Sequence, residues 1–147
     1  LNISLNLSSG CSRLIELSFA TRYVSPMSLP HPDPDQIFLP NVLAALGDET
    51  RLAIIGCLAR TEAAEGLVCG QFAPLTSKTN LTYHVGKLRE AGVINVRIEG
   101  TKRRVSLRRE DLDNRFPGVL DSIIATAINL PSVETVLLDL ETQNAAT

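Results

Sequence analysis

From residue 37 onward, apolar positions fall into short periodic blocks separated by glycine, proline and small polar residues. Following Ile37, the side chains of Phe38, Val42, Leu43 and Leu46 recur at helical spacing and stop at Gly47, predicting a first helix that Pro40 interrupts or restarts. Asp48 is placed to cap a second helix reaching about Arg60, with Leu52, Ile54, Ile55 and Leu58 as its apolar side. Gly66 and Gly70 bracket a loop, and a short helix is expected over about 69–75. Thr76 and Ser77 break the pattern before it resumes over 78–91, with Leu81, Val85 and Leu88 sharing one face, Ser77 as cap and Gly92 as stop. The period then changes. Residues 93–98 and 104–107 are β-rich and joined by Glu99, Gly100, Thr101 and Lys102, which predicts a hairpin with Gly100 taking positive φ in the turn. Beyond the acidic stretch at Glu110 to Asp113, a last helix is expected between Pro117 and Pro131, on Phe116, Val119, Leu120, Ile123, Ile124, Ala127 and Ile128. Val136, Leu137 and Leu140 allow one further amphipathic turn or a frayed tail over 131–147.

A short helix, a tight turn, a polar-faced helix and a hairpin with a basic tip, in that order, predict a winged helix-turn-helix. The expected class is mainly α with a small β-hairpin: about five helices plus a two-stranded wing, in one domain over 36–130. Five of the eight prolines lie between 26 and 40, so 1–35 reads as an extended or disordered segment. The chain begins with Leu1 and its only methionine is Met27, so residues 1–26 are expected to be upstream sequence rather than native protein.

Composition adds that one core is enough: 147 residues, 44% hydrophobic and 20% charged, are globular proportions. Charge changes the picture more. The formal net charge is -2, yet between Lys78 and Arg109 nine basic residues face two acidic ones, a local net of +7 that leaves -9 on the remainder. Such segregation draws a polyanion to one face and orients its approach, whereas a merely solvated surface would mix the signs. Three cysteines do not make a paired disulfide framework, no apolar run reaches a membrane-spanning length, and no basic start precedes an apolar block. A cytoplasmic protein without a membrane partner is expected.

A major groove about 12 Å wide admits one helix that shows short polar side chains outward. On the helix from Lys78, the expected readers of base edges and nearby phosphates are Thr79, Asn80 and Tyr83, with Ser77, Lys78, Thr82 and Lys87 completing the surface and Gly86 permitting close approach. Lys102, Arg103 and Arg104 at the hairpin tip are expected to reach a neighbouring minor groove or its phosphates. The partner is therefore double-stranded DNA. No nucleophile, carboxylate or phosphate-loop motif has active-site spacing, so neither an enzyme nor a cofactor is expected.

The stretch from Leu46 to Leu107 resembles the arsenic-repressor (ArsR-like) family of winged-helix regulators, in Leu46-Gly47-Asp48-Glu49-Thr50-Arg51-Leu52, in Ser77 to Gly92, and in Glu99-Gly100-Thr101-Lys102-Arg103-Arg104. The resemblance implies a homodimer joined through the first and last helices, a repressor of nearby genes, and release from DNA by an inducer that these residues do not identify. The implied seam is Phe38, Val42, Val119, Leu120, Ile123, Ile124 and Ala127. Independently, the last helix carries more apolar positions than one intramolecular face needs, although packing within the monomer would also use them.

Metal-sensing members of that family are a poorer match. Leu67-Val68-Cys69 keeps one of two expected thiolates, and the last helix has no histidine, so no metal site is expected. Cys11 with Cys69 would supply only two thiolates. Cys57, mid-helix, reads as packing, and a thiol switch between Cys57 and Cys69 is an alternative that spacing alone does not support. His31, among prolines, is expected to be exposed, and His84 to sit at the edge of an apolar face in a structural or phosphate-contacting role. A winged-helix module that binds protein instead of DNA remains the alternative of another class; it would not need a +7 segment.

Overall fold

A computed structural model describes residues 29–61 and 65–147. The expectations for residues 1–28, including Cys11 and the start at Met27, lie outside the described residues.

The chain enters as an extended segment, makes a 3-10 turn at Pro34–Gln36 and opens α1, Leu39–Leu46. Pro40 lies in the first turn, where a helix needs no donor, so it starts the helix instead of breaking it. Asp48 then caps α2, Glu49–Arg60, by accepting a 2.9 Å hydrogen bond from the Arg51 amide. Six consecutive residues of α2, Ala53 to Leu58, are buried, so this helix is surrounded by the others. Gly56 makes that possible: a Cβ there would stand 2.6 Å from the Ala127 carbonyl oxygen and 2.8 Å from Val133 Cγ2.

Strand β1, Leu67–Val68, leads into a 3-10 turn, Cys69–Phe72, and then α3, Lys78–Glu90. Strands β2, Ile94–Glu99, and β3, Lys102–Leu107, form a hairpin closed by Gly100 and Thr101, with Gly100 at φ +61°. The sheet is antiparallel in the order β1-β3-β2, with Leu67 opposite Val105 and Val96 opposite Val105 on the other side. Three helices complete the chain: α4, Arg109–Arg115; α5, Val119–Ala127; and α6, Pro131–Ala145. The fold is a winged helix-turn-helix, with Phe72, Ile37, Ile54, Ile55, Leu88 and Ile94 among the fully buried side chains at its centre.

Several elements differ from the expected ones for identifiable reasons. Among the described residues the sheet has three strands, one more than expected, because the two-residue β1 carries no alternation that would announce it in the sequence. The short helix expected over 69–75 is a 3-10 turn over Cys69–Phe72; Pro74 has no N–H with which to extend it. The acidic stretch becomes α4, with Glu110 and Asp111 at its positive end, Arg115 in its last turn and Leu112 turned into the core. Pro131 opens a helix rather than only closing one, so 131–147, expected as a tail, hold the 15-residue α6, with Val133, Val136 and Leu140 buried. Six α-helices are therefore present among the described residues, against about five expected. No single described helix is long and apolar enough to cross a membrane, and α5 and α6 meet at a 72° bend.

Candidate nucleic-acid interface

Helix α3 starts where Ser77 Oγ accepts from the Asn80 amide at 3.4 Å. Leu81, Val85 and Leu88 anchor one side in the core, which leaves Lys78, Thr79, Asn80, Thr82, Tyr83 and Lys87 exposed on the other. Thr82 donates its hydroxyl to the Lys78 carbonyl at 3.0 Å and so still offers lone pairs outward. Tyr83 is 58% exposed, packs edge-on against His84, and has the Lys87 ammonium 5.7 Å from its ring centre. His84 is half-buried, as its position on the wheel suggests, with Nδ1 3.5 Å from Asp48 Oδ1.

Between α3 and the wing lies a cleft of about 690 Å³, whose lining includes Lys78, Thr82, Lys102, Arg103 and Cys69. The alternation of β3 accounts for Arg103 being there. Arg103 shares a face with Val105, which packs inward, whereas Arg104 points to the opposite face of the sheet; Lys102, next to the turn, also borders the cleft. On that outer face Glu99 Oε1 accepts from Arg97 at 2.8 Å and Glu99 Oε2 from Arg104 Nε at 2.9 Å. Hydrogen bonds from Arg104 first, and then from Arg97, hold the Glu99 carboxyl below its ordinary pKa. Arg104 also reaches the Gly66 carbonyl at 3.3 Å.

This pairing bears on one member of the expected set. Arg104 is half-buried and committed within the sheet, so its guanidinium is not free at the tip as expected. Much of the +7 segment is similarly engaged: Lys87 pairs with Glu90, Arg97 with Glu99, Arg108 with Asp111 and Arg109 with Asp121, while Arg89 donates to the Pro30 carbonyl. Among the described residues, the basic side chains of this segment without a carboxylate or carbonyl partner are Lys78, Lys102 and Arg103, and all three border the cleft. Arg97, 68% exposed at its side chain, was not singled out from sequence, although the alternation of β2 would have placed it on the outer face.

The residues expected at a dimer seam separate into two groups. Val42, Leu120, Ile124 and Ala127 are buried in the chain's own core, at 9% exposure or less, and the apolar positions of α5 face α2 and α4. Phe38 is 54% exposed, and Val119 and Ile123 are half-buried beside an apolar crevice that Phe116 also lines. Cys57 is buried, and burial pushes its thiol up to about 12, which disfavours the thiolate. Cys69 is half-buried and also pushed up by burial, with Arg103 opposing. Among the described residues no group of three or more histidine, cysteine or carboxylate side chains is arranged to hold a metal ion. His31, expected to be exposed among prolines, is half-buried, and its Nε2 accepts a 2.8 Å hydrogen bond from the Val96 amide.

A family profile described as "Helix-turn-helix domain" matches residues 46–97, from the end of α1 through α3 into the wing. The chain is also 36% identical over 103 residues to the uncharacterized HTH-type transcriptional regulator YceK of Bacillus subtilis (strain 168), an alignment covering 69% of this chain and 99% of the relative. With the winged fold and the basic cleft beside its exposed helix, that similarity places the chain in the family of HTH-type transcriptional regulators.

Proposed function

We propose that the chain is a sequence-specific repressor that binds double-stranded DNA as a homodimer, with α3 in the major groove and the wing on the adjacent backbone. The observation that carries this reading is the convergence of Lys78, Lys102 and Arg103 on the cleft between α3 and the wing. These cations supply phosphate contacts that fix register, and Thr79, Asn80 and Tyr83, exposed on α3 outside the cleft lining, meet base edges. Ser77, Lys78, Thr82 and Lys87 complete the contact surface. Arg104 acts indirectly by holding Glu99 and the wing in shape.

The dimer seam on this reading is the part of the expected set left at the surface: Phe38 on the α1 side and Val119 and Ile123 on α5, joined by exposed Leu43. Repression, ArsR-like membership, a cytoplasmic setting and release by an inducer rest on the resemblance of Leu46 to Leu107 to arsenic-repressor-like regulators. Selection of bound duplexes from a random pool tests the whole reading. A two-fold-symmetric consensus with half-sites about one helical turn apart is expected; recovery of no consensus would overturn sequence-specific binding, and an asymmetric single site would overturn the dimer.

A further inference from the structure

The extended segment before α1 contacts the DNA-reading unit through consecutive residues, each on a different element. The Pro30 carbonyl accepts from Arg89 Nη1 in the last turn of α3 at 2.8 Å. His31 Nε2 accepts from the Val96 amide of β2 at 2.8 Å, and the Pro32 carbonyl accepts from Arg108 Nη1 at the foot of the wing at 2.7 Å. Further on, the Ile37 carbonyl accepts from Arg115 at 2.9 Å, with the Ile37 side chain fully buried. Among the described residues β2 is an edge strand, so the Val96 N–H has no strand partner on that side, and His31 satisfies it.

We propose that residues 30–32 form an acid-released strap that holds α3 and the wing in their DNA-reading orientation, with His31 as its proton-sensitive contact. The proposal rests on the DNA-binding reading above and adds a mode of regulation to it. An acceptor nitrogen must be unprotonated. When His31 takes up a proton, an N–H replaces that acceptor and faces the Val96 N–H, and a third cation is set beside two guanidiniums. The charged groups around it are Arg89 from α3 and Arg108 from the foot of the wing, the latter held at 2.8 Å by Asp111. On β2 the neighbouring Arg97 is paired with Glu99, and Asp33 and Asp35 of the strap's own segment are exposed. No carboxylate is therefore placed to welcome the imidazolium among the described residues.

Burial is the main cause that holds the His31 pKa below its ordinary 6.5, partly opposed by a hydrogen bond to the Leu29 backbone and reinforced by Arg89 and Arg108. With the docked value lowered, the released state binds the proton first. Docking is then fully present above pH 6.5 and is lost as pH falls from there through the lowered value. Release leaves the Val96 edge and the last turn of α3 untied from one another, so helix and wing no longer meet DNA as one rigid surface.

The test uses the full chain, wild type and His31→Gln, whose side-chain oxygen accepts a hydrogen bond without titrating. Amide exchange of Val96, corrected for intrinsic rates, is followed from about pH 7.5 to about pH 5, together with affinity for a mixed-sequence duplex of about three helical turns. Wild-type Val96 should lose roughly tenfold in protection while the variant stays flat, and wild-type affinity should fall at least about threefold more than the variant's. A pH-independent Val96, or equal loss in both proteins, overturns the strap. Should Val96 respond while both affinities move together, the link to DNA reading is overturned. Absence of duplex binding at every pH defeats the DNA-binding reading, and the strap is then decided by Val96 alone. If His31→Gln does not fold, the wild-type imidazole shift must titrate together with the Val96 amide shift; separate midpoints overturn the proposal.

Discussion

His84 Nδ1 on α3 stands 3.5 Å from Oδ1 of Asp48, the residue that caps α2. The same carboxylate oxygen accepts from the Arg51 amide, so the start of α2 and the middle of α3 meet at one side chain. Asp48→Ala should lower stability by about 1 kcal/mol through loss of the cap, whereas Asp48→Asn, still a good cap, should lose clearly less. Urea midpoints of the two variants check this, and equal losses would show that the cap is not the main role of Asp48.

Gly56 sits where α2 crosses the end of α5 and the start of α6. Alanine is the better helix former by about 1 kcal/mol, but its Cβ would press on the Ala127 carbonyl and on Val133. Gly56→Ala should therefore destabilise by a net 1–3 kcal/mol, roughly the cost of overpacking. A stabilised variant would mean that the helices part more easily than this contact implies.

What pattern could and could not show follows from these contacts. Helix α3 was legible because Leu81, Val85 and Leu88 repeat at helical spacing between a capping Ser77 and Gly92, and the wing because Gly100 separates two alternating runs. Helix α4 was missed because only Leu112 is buried in it, so no apolar stripe advertises it. Pro131 read as a stop because proline suits both the end of one helix and the first turn of the next. The outward exposure of Thr79, Asn80 and Tyr83 was legible from the wheel. The candidate site was not legible as a set of available charges: whether Arg104 is free depends on Glu99 and Arg97, which only the cross-strand register brings together.

Glu99 restrains two arginines on the outer face of the wing. Glu99→Gln should raise affinity for nonspecific duplex and steepen its salt dependence by about one unit per arginine recruited to a phosphate. The wild-type pairing should persist well into acid, because the lowered carboxyl keeps its charge: its contribution is present above the ordinary 4.5 and is lost only as pH falls through the lowered value. Binding isotherms over a salt series decide the first point, and an unchanged slope would show that Arg97 and Arg104 stay away from DNA.

Burial separates a substitution in the core from one at the proposed dimer seam. Ile124→Asp places a charge in the chain's own core and should unfold it, at a cost of about 3 kcal/mol or more. Phe38→Asp, at an exposed site, should leave the helical circular dichroism intact and dissociate the dimer in sedimentation. A dimer that survives Phe38→Asp would move the seam away from α1.

The division of labour between helix and wing is tested most directly by measuring affinity for a selected operator, for every single-base variant of it and for nonspecific duplex. The proteins compared are wild type, Thr79→Ala, Tyr83→Ala, Lys102→Ala and Arg103→Ala. The wing variants should weaken all sequences alike, while each helix variant should flatten the preference at particular base pairs, where a lost contact is worth about 1–3 kcal/mol. Helix variants that keep the wild-type preference at every base, with the fold intact, would contradict the assignment of α3 as the reader.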